Sequence, residues 1–344
     1  MQKIAETGPL GFPEFMAGAL YDPETGYYAR PLPQVGRAGD FFTSVSVGPL
    51  FGFLLADHVL DWWRESGRPS PWRILEAGAH DGRLAGDLLD RIQATAPEAW
   101  ESLEYAIVEP LPSLAAAQVV QLARHRDRLR QVDVAEALDP LPGYFLANEL
   151  LDALPFHLIE SDGEGWRELG VDADGRGGFR WTDLGPAGEW AGRVPPRPPG
   201  YRTEVRAELR PFIAPLAAAV TPGRMLWLDY GFERRELYDV ARREGTLRTY
   251  RSHQAGDDPL EAPGSQDITA HVDFTALREA LEGLGARILR FENQSRFLTG
   301  VARPWLLSLE GRSDPGTAKL LRQFQTLTHP AQLGGRFLVM EASL

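Results

Sequence analysis

Two rhythms of apolar and polar positions organise this chain. From residue 71 onward, short apolar runs of strand character alternate with stretches whose apolar residues recur every three or four positions. Ile74 and Leu75 form the first run, which ends on Glu76. Gly78 and Gly82 follow, and Leu84, Leu88, Leu89 and Ile92 then recur at helical spacing. The pattern predicts strand, glycine turn, helix. Further strands are predicted over 105–108, ending on Glu109-Pro110, over 129–132, and over 144–147, ending on Asn148-Glu149. Residues 156–159 continue the alternation, 225–228 end on Asp229-Tyr230-Gly231, and 287–291 and 336–340 close it. Helices over 114–122 and 274–284 lie between them. Crossover helices imply parallel neighbours. The expectation is therefore a Rossmann-like α/β fold: a mainly parallel sheet with helices on both faces.

The first 70 residues do not share this rhythm. Residues 12–20 read as a helix, 21–28 as turns, and 36–43 as a second glycine-containing loop. Gly48-Pro49 starts a helix, with proline where no N–H is missed. Its apolar side is Leu50, Phe51, Leu54, Leu55, Val59, Trp62 and Trp63. An N-terminal helical cap over 1–70 and a doubly wound domain over 71–344 follow from this. Two stretches interrupt the domain, near 161–203 and 233–270. The first holds Asp-Gly, Gly-Gly and a proline-rich run, and suits a hairpin of 166–169 with 179–184. Both are expected to be lid segments inserted over the strand ends.

Composition narrows the function classes. The chain has 344 residues, 43% hydrophobic and 24% charged, as expected of a globular protein. No apolar run approaches the roughly 20 residues of a membrane helix. The first ten residues lack a basic region followed by an apolar one, so a cytoplasmic location is expected. With no cysteine, disulfides and thiolate metal sites are excluded, and no metal is expected. A net charge of −12 disfavours nucleic acid. The alternating Arg124, Arg126, Arg128 and Arg130 read as a solvated edge rather than a phosphate-binding patch. No nucleic-acid or membrane partner is expected, and a homodimer is left open.

The turn after the first strand carries the chemistry. A dinucleotide fingerprint needs G-x-G-x-x-G, but here the glycines stand four apart with His80 between them. A phosphate-binding loop needs a lysine that does not follow Gly82. What remains is an acid at a strand end followed by a glycine turn. This resembles the first motif of class I S-adenosylmethionine-dependent methyltransferases, E/D-x-G-x-G-x-G, with His80 in place of the second glycine. Acids also end later strands: Glu109, Glu149 and Asp229. An acid at the end of the second strand can accept from two ribose hydroxyls, which is the place of Glu109. Asp133, after the third strand, can accept from an adenine amino group.

Longer stretches extend the resemblance. Gly39-Asp40-Phe41-Phe42-Thr43, Glu76-Ala77-Gly78 and Val108-Glu109-Pro110 occur in order. Residues 147–155, Leu228-Asp229-Tyr230-Gly231, Gly245-Thr246-Leu247 with Tyr250-Arg251 and His253, and residues 267–274 follow. Together, over about residues 8–300, they are similar to the MidA family. The resemblance implies a class I methyltransferase fold, S-adenosyl-L-methionine as cofactor and, from the family's mitochondrial member, a protein arginine as acceptor. A protein or small-molecule acceptor both fit the residues, with an arginine or another nitrogen nucleophile receiving the methyl. The implied cofactor contacts are Asp40, Thr43, Glu76, Gly78, His80, Gly82, Glu109, Pro110, Asp133 and Asn148. Glu149 and Asp152 are candidates to hold a guanidinium, whose planar fork matches carboxylates; the alternative is that Asp152 caps a turn and Glu149 only borders the cofactor. His271 is a candidate general base, or a structural hydrogen-bonding group. The loop Gly39–Thr43 is expected to close over the cofactor, protecting residues 36–46. Two departures stand out: His80 for a glycine, and Ser46 where the family has the glutamate of Thr-x-x-Glu. They leave open a catalytically silent relative acting in assembly. A nucleotide-cofactor oxidoreductase is disfavoured by the glycine spacing.

Overall fold

The structure, a computed structural model, describes residues 2–30, 43–251, 254–312 and 314–344. Contacts divide the chain into two compact units. One gathers Met1–Pro33, Leu151–Leu209 and Gly231–Leu277; the other gathers Gln34–Leu150, Arg210–Tyr230 and Arg278–Leu344.

The second of these is built on the predicted sheet. Its strands are β1 (Trp72–Ala77), β2 (Leu103–Val108), β3 (Leu129–Val132), β4 (Gly143–Asn148), β5 (Gly223–Phe232), β6 (Arg287–Asn293) and β7 (Phe337–Ser343). They stand in the order β6-β7-β5-β4-β1-β2-β3. Neighbours from β5 across to β3 are parallel, and β7 runs antiparallel to both β5 and β6. The order reverses between β1 and β4, which is where ligands bind in open parallel sheets.

The strands are apolar on both faces because helices cover both. Ile74, Tyr105, Tyr144 and Leu226 belong to a core shared with helices α1 (Leu50–Glu65) and α2 (Arg83–Thr95). Trp62 and Trp63 of α1 lie 6.1 and 6.2 Å from Trp72, centroid to centroid. Alternate residues Leu75, Phe145 and Trp227 are buried as well, and the rings of Phe145 and Trp227 meet at 4.6 Å. A third helix, α3 (Pro112–Gln121), follows β2.

The first unit is antiparallel. Leu10–Gly11, Trp166–Ala173, Phe156–Ser161 and Arg202–Arg206 pair in that order, and Phe179–Pro186 pairs with Trp166–Ala173 as a hairpin. Gln254–Gly256, Arg248–Arg251 and Asp267–Thr269 form a separate small sheet.

Two sequence expectations change here. The strand at 156–159 exists, but it does not extend the parallel sheet: Leu158 pairs with Leu169 and Glu204. An apolar run predicts a strand locally, whereas its partner is fixed by distant residues. The cap boundary at residue 70 also differs from the division of contacts. Helix α1 packs into the core of the parallel sheet, while the helix Phe12–Tyr21 belongs to the antiparallel unit.

Candidate active site

The turn after β1 is the first component. Gly78, His80 and Gly82 all have left-handed backbone, with φ of +76°, +47° and +82°. Such angles come without steric cost only to glycine, so His80 is held there by its surroundings. Its main-chain carbonyl accepts from Gln118 Nε2 at 2.9 Å. Burial lowers the His80 pKa, with Asp81 opposing, which keeps the imidazole neutral near pH 7. Glu76 does not reach the turn's surface. It is buried and accepts from the Tyr105 hydroxyl at 2.7 Å; burial pushes it up to about 7, against that hydrogen bond.

Glu109, at the end of β2, is the second component. One carboxylate oxygen accepts from Leu111 N and the other from Gln118 Nε2, each at 3.0 Å. An ionised carboxylate offers about four acceptor sites, and the described residues use two of them. Burial raises its pKa, partly offset by these donors. Pro110 and Asp133 lie exposed nearby in sequence, just past β2 and β3.

The third component lies past β4. Asn148 Nδ2 donates to Glu149 Oε1 at 3.0 Å, and the Tyr230 hydroxyl donates to Glu149 Oε2. Glu149 itself is left-handed, with φ of +55°. Its N–H reaches across to Leu228 O at 2.9 Å, and Asp229 accepts from Leu150 N and Tyr230 N. Buried Asn148 Oδ1 has no hydrogen-bond partner among the described residues.

Three comparisons with known proteins bear on this geometry. A profile of S-adenosyl-L-methionine-dependent methyltransferases, of MidA type, matches residues 54–292. The chain belongs to that family. A solved protein from Burkholderia thailandensis, bound to S-adenosyl-homocysteine, is 34% identical with a TM-score of 0.88, over 100% of this chain and 90% of that one. The mitochondrial protein arginine methyltransferase NDUFAF7 homolog of Drosophila melanogaster is 30% identical, over 97% of this chain and 82% of its own. The human protein arginine methyltransferase NDUFAF7, also mitochondrial, is 27% identical over 98% and 80%. The protein is thus an S-adenosyl-L-methionine-dependent methyltransferase with the Rossmann-like α/β fold.

This chain's residues fit that cofactor. A free acceptor at Asn148 Oδ1, spare acceptor capacity on Glu109 and an exposed Gly78 suit a ligand with amino, hydroxyl and sulfonium groups. The two departures have local explanations. His80 itself takes a left-handed backbone angle of the kind that glycine adopts freely. Ser46 keeps a reciprocal box: its hydroxyl accepts from Thr43 N at 3.0 Å and donates to Thr43 O at 2.8 Å, while Thr43 Oγ1 accepts from Ser46 N at 3.2 Å. Asp40, His253 and most of the 36–46 loop lie outside the described residues.

Asp152 and His271 belong to the antiparallel unit, whereas the three components above belong to the parallel one. There, Arg206 joins the two most family-like stretches. Its guanidinium donates to the carbonyls of Asp152, Ala270 and His271 at 2.7–2.8 Å, and Ala270 N also donates to Asp152 O at 3.1 Å. Burial raises Asp152 to about 6, against the Arg206 charge, and burial plus neighbouring arginines lower His271 to about 4. Nearby, buried Glu204 accepts from the N–H groups of Thr246 and Leu247 at 2.8 and 2.6 Å. Gly245 is needed there, since a Cβ would meet Glu204 Oε1 at 2.5 Å. Gln118, Arg206 and Glu204 carry no motif, and the sequence does not single them out.

Proposed function

We propose that this methyltransferase transfers its methyl group to a guanidinium nitrogen of a protein arginine. The observation that carries the reading is Glu149: a carboxylate at the end of β4, fixed on both oxygens by Asn148 and Tyr230. The relatives' names, arginine methyltransferases, support the acceptor class.

The roles follow from chemistry. S-adenosyl-L-methionine supplies an electrophilic methyl on a sulfonium. Glu109 takes the ribose hydroxyls, Asn148 Oδ1 accepts from the methionine ammonium, and the turn from Gly78 to Gly82 gives close backbone approach. Glu149 accepts N–H bonds from the guanidinium and orients one nitrogen, which is most of the catalytic work in a displacement governed by position. It also receives the proton that nitrogen sheds, as a carboxylate acting as general base does. Tyr230 and Asn148 hold it in place. Asp152 and His271 are assigned to holding the antiparallel unit together, because the main-chain carbonyls of both are bound by Arg206.

The test is methyl transfer from the cofactor to arginine-containing peptides, read by mass spectrometry, with lysine replacements as the control. Glu149→Gln should lower kcat by roughly two orders of magnitude or more, as when a positioned catalytic group is lost. S-adenosyl-homocysteine affinity should stay unchanged. Transfer to the lysine peptides, or to a small amine alone, would replace the arginine assignment. An active Glu149→Gln enzyme would remove Glu149 from it.

A further inference from the structure

Gln118 lies in the last turn of α3 and is wholly buried, at 0% exposure. All of its amide is engaged. Nε2 donates both to His80 O at 2.9 Å and to Glu109 Oε2 at 3.0 Å. Its Oε1 accepts from Gln131 Nε2 at 2.8 Å, and Gln131, on β3, also donates to Ala115 O at 3.0 Å. This fixes the orientation of the amide, because a flipped one would set acceptor against acceptor at both donor contacts. Gln118 Cγ also packs beneath the turn, 3.5 Å from where a Cβ on Gly82 would stand. One side chain therefore ties the left-handed turn after β1 to the carboxylate after β2.

We propose that Gln118 is a positioning residue, backed by Gln131, that sets the spacing between the His80 turn and the Glu109 carboxylate and so determines how firmly the methyl donor's ribose is held. This rests on the assignment of the ribose to Glu109. Burying a primary amide costs free energy unless every group on it is paired. Here the pairing is complete, and two of the three partners belong to the cofactor end of the sheet. The remaining acceptor sites of Glu109 then point in a fixed direction, so a ribose need not order them on binding.

The experiment titrates the full-length protein with S-adenosyl-homocysteine and with its 2′,3′-dideoxy analogue. Wild-type protein should prefer the hydroxylated ligand. Gln118→Met keeps the length of the side chain and removes the donors. It should weaken S-adenosyl-homocysteine roughly tenfold, the scale of a hydrogen bond to a charged group, and leave the dideoxy analogue nearly unchanged. In turnover, KM for the donor should rise while kcat at saturating donor holds. Equal weakening of both ligands, or none, would overturn the proposal. Should Gln118→Met fail to fold, Gln131→Met applies the same test one step back, with a smaller selective loss expected and a non-selective one fatal. If the wild-type protein does not distinguish the two ligands and Glu109→Ala binds normally, the ribose assignment itself is wrong, and that outcome is separable from a failure at Gln118.

Discussion

Glu76 and Glu109 both end strands, and burial pushes both carboxyls upward, yet their surroundings give them different work. Glu109 keeps acceptor capacity beside its two donors. Glu109→Ala should cost about 1.5–3 kcal/mol of cofactor binding, the range for hydrogen bonds to a charged group. Titration calorimetry reads this directly, and an unchanged dissociation constant would move the ribose elsewhere. Glu76 is buried beneath the turn with the Tyr105 hydroxyl as partner. Its folded pKa, raised to about 7 from 4.5, means that the folded state holds its proton more tightly than the unfolded chain. Stability from this group is therefore full below about pH 4.5 and lost as pH rises to about 7. Glu76→Gln keeps the partner of Tyr105 without the charge. It should be nearly neutral at pH 5 and stabilising by up to about 3 kcal/mol at pH 8. Urea unfolding at both pH values checks this, and a variant equally destabilised at both would mean that Glu76 is ionised and needed as such. Gly78 shows why a residue-scale test needs its surroundings. Sequence suggests that Gly78→Val would collide only with ligand. In the fold, φ is +76° and a Cβ would meet Leu150 Cδ1 at 3.1 Å. The substitution strains the protein before any ligand binds.

At the scale of elements, the strands and the turn after β1 were legible because their signals are local: an apolar run, an acid, glycines at a fixed offset. What escaped is held by distant partners. Gln118 reaches residues 9 and 38 positions away, and Arg206 reaches 54 to 65 positions back and forward. Neither distance leaves a period in the sequence. The strand Arg202–Arg206 was missed for the same reason, since its alternation is dominated by charged residues that pair across the antiparallel sheet, as Arg202 does with Glu160. Another non-local device ties together α1, β4, β6 and β7. Glu341, fully buried on β7, lies 3.1 Å from His58 Nε2 and accepts from the Tyr144 hydroxyl at 2.7 Å and Arg290 Nε at 2.8 Å. Burial alone would raise it, but His58, Tyr144 and Arg290 outweigh burial and hold it at about 2. The sign is opposite to that of Glu76: its contribution is present above about pH 4.5 and lost as pH falls toward 2. Glu341→Gln strands buried partners and should cost about 3–5 kcal/mol at pH 7. The cost should shrink at pH 3, measured as the shift in urea midpoint, and a cost independent of pH would show that shape rather than charge matters here.

At the scale of the whole molecule, the chain is two units of different construction, and the methyl donor's candidate contacts at Gly78, His80, Gly82, Glu109 and Asn148 all fall in the parallel one. A ligand that binds only the folded state stabilises it by mass action, about 2.7 kcal/mol at a hundredfold excess over the dissociation constant. A chain of two units need not unfold in a single step, so one melting midpoint would blur where that energy goes. Hydrogen exchange resolves it by segment. S-adenosyl-homocysteine should slow exchange over residues 76–84, 107–121 and 147–150, which hold the turn, the Glu109–Gln118 pair and the end of β4. It should leave the hairpin of Trp166–Ala173 and Phe179–Pro186 little changed, since that hairpin carries none of these contacts. Glu109→Ala should flatten the response at residues 107–121 at a ligand concentration that saturates wild type. Protection confined to the hairpin, or spread evenly over both units, would contradict a cofactor seated at the carboxyl ends of β1, β2 and β4.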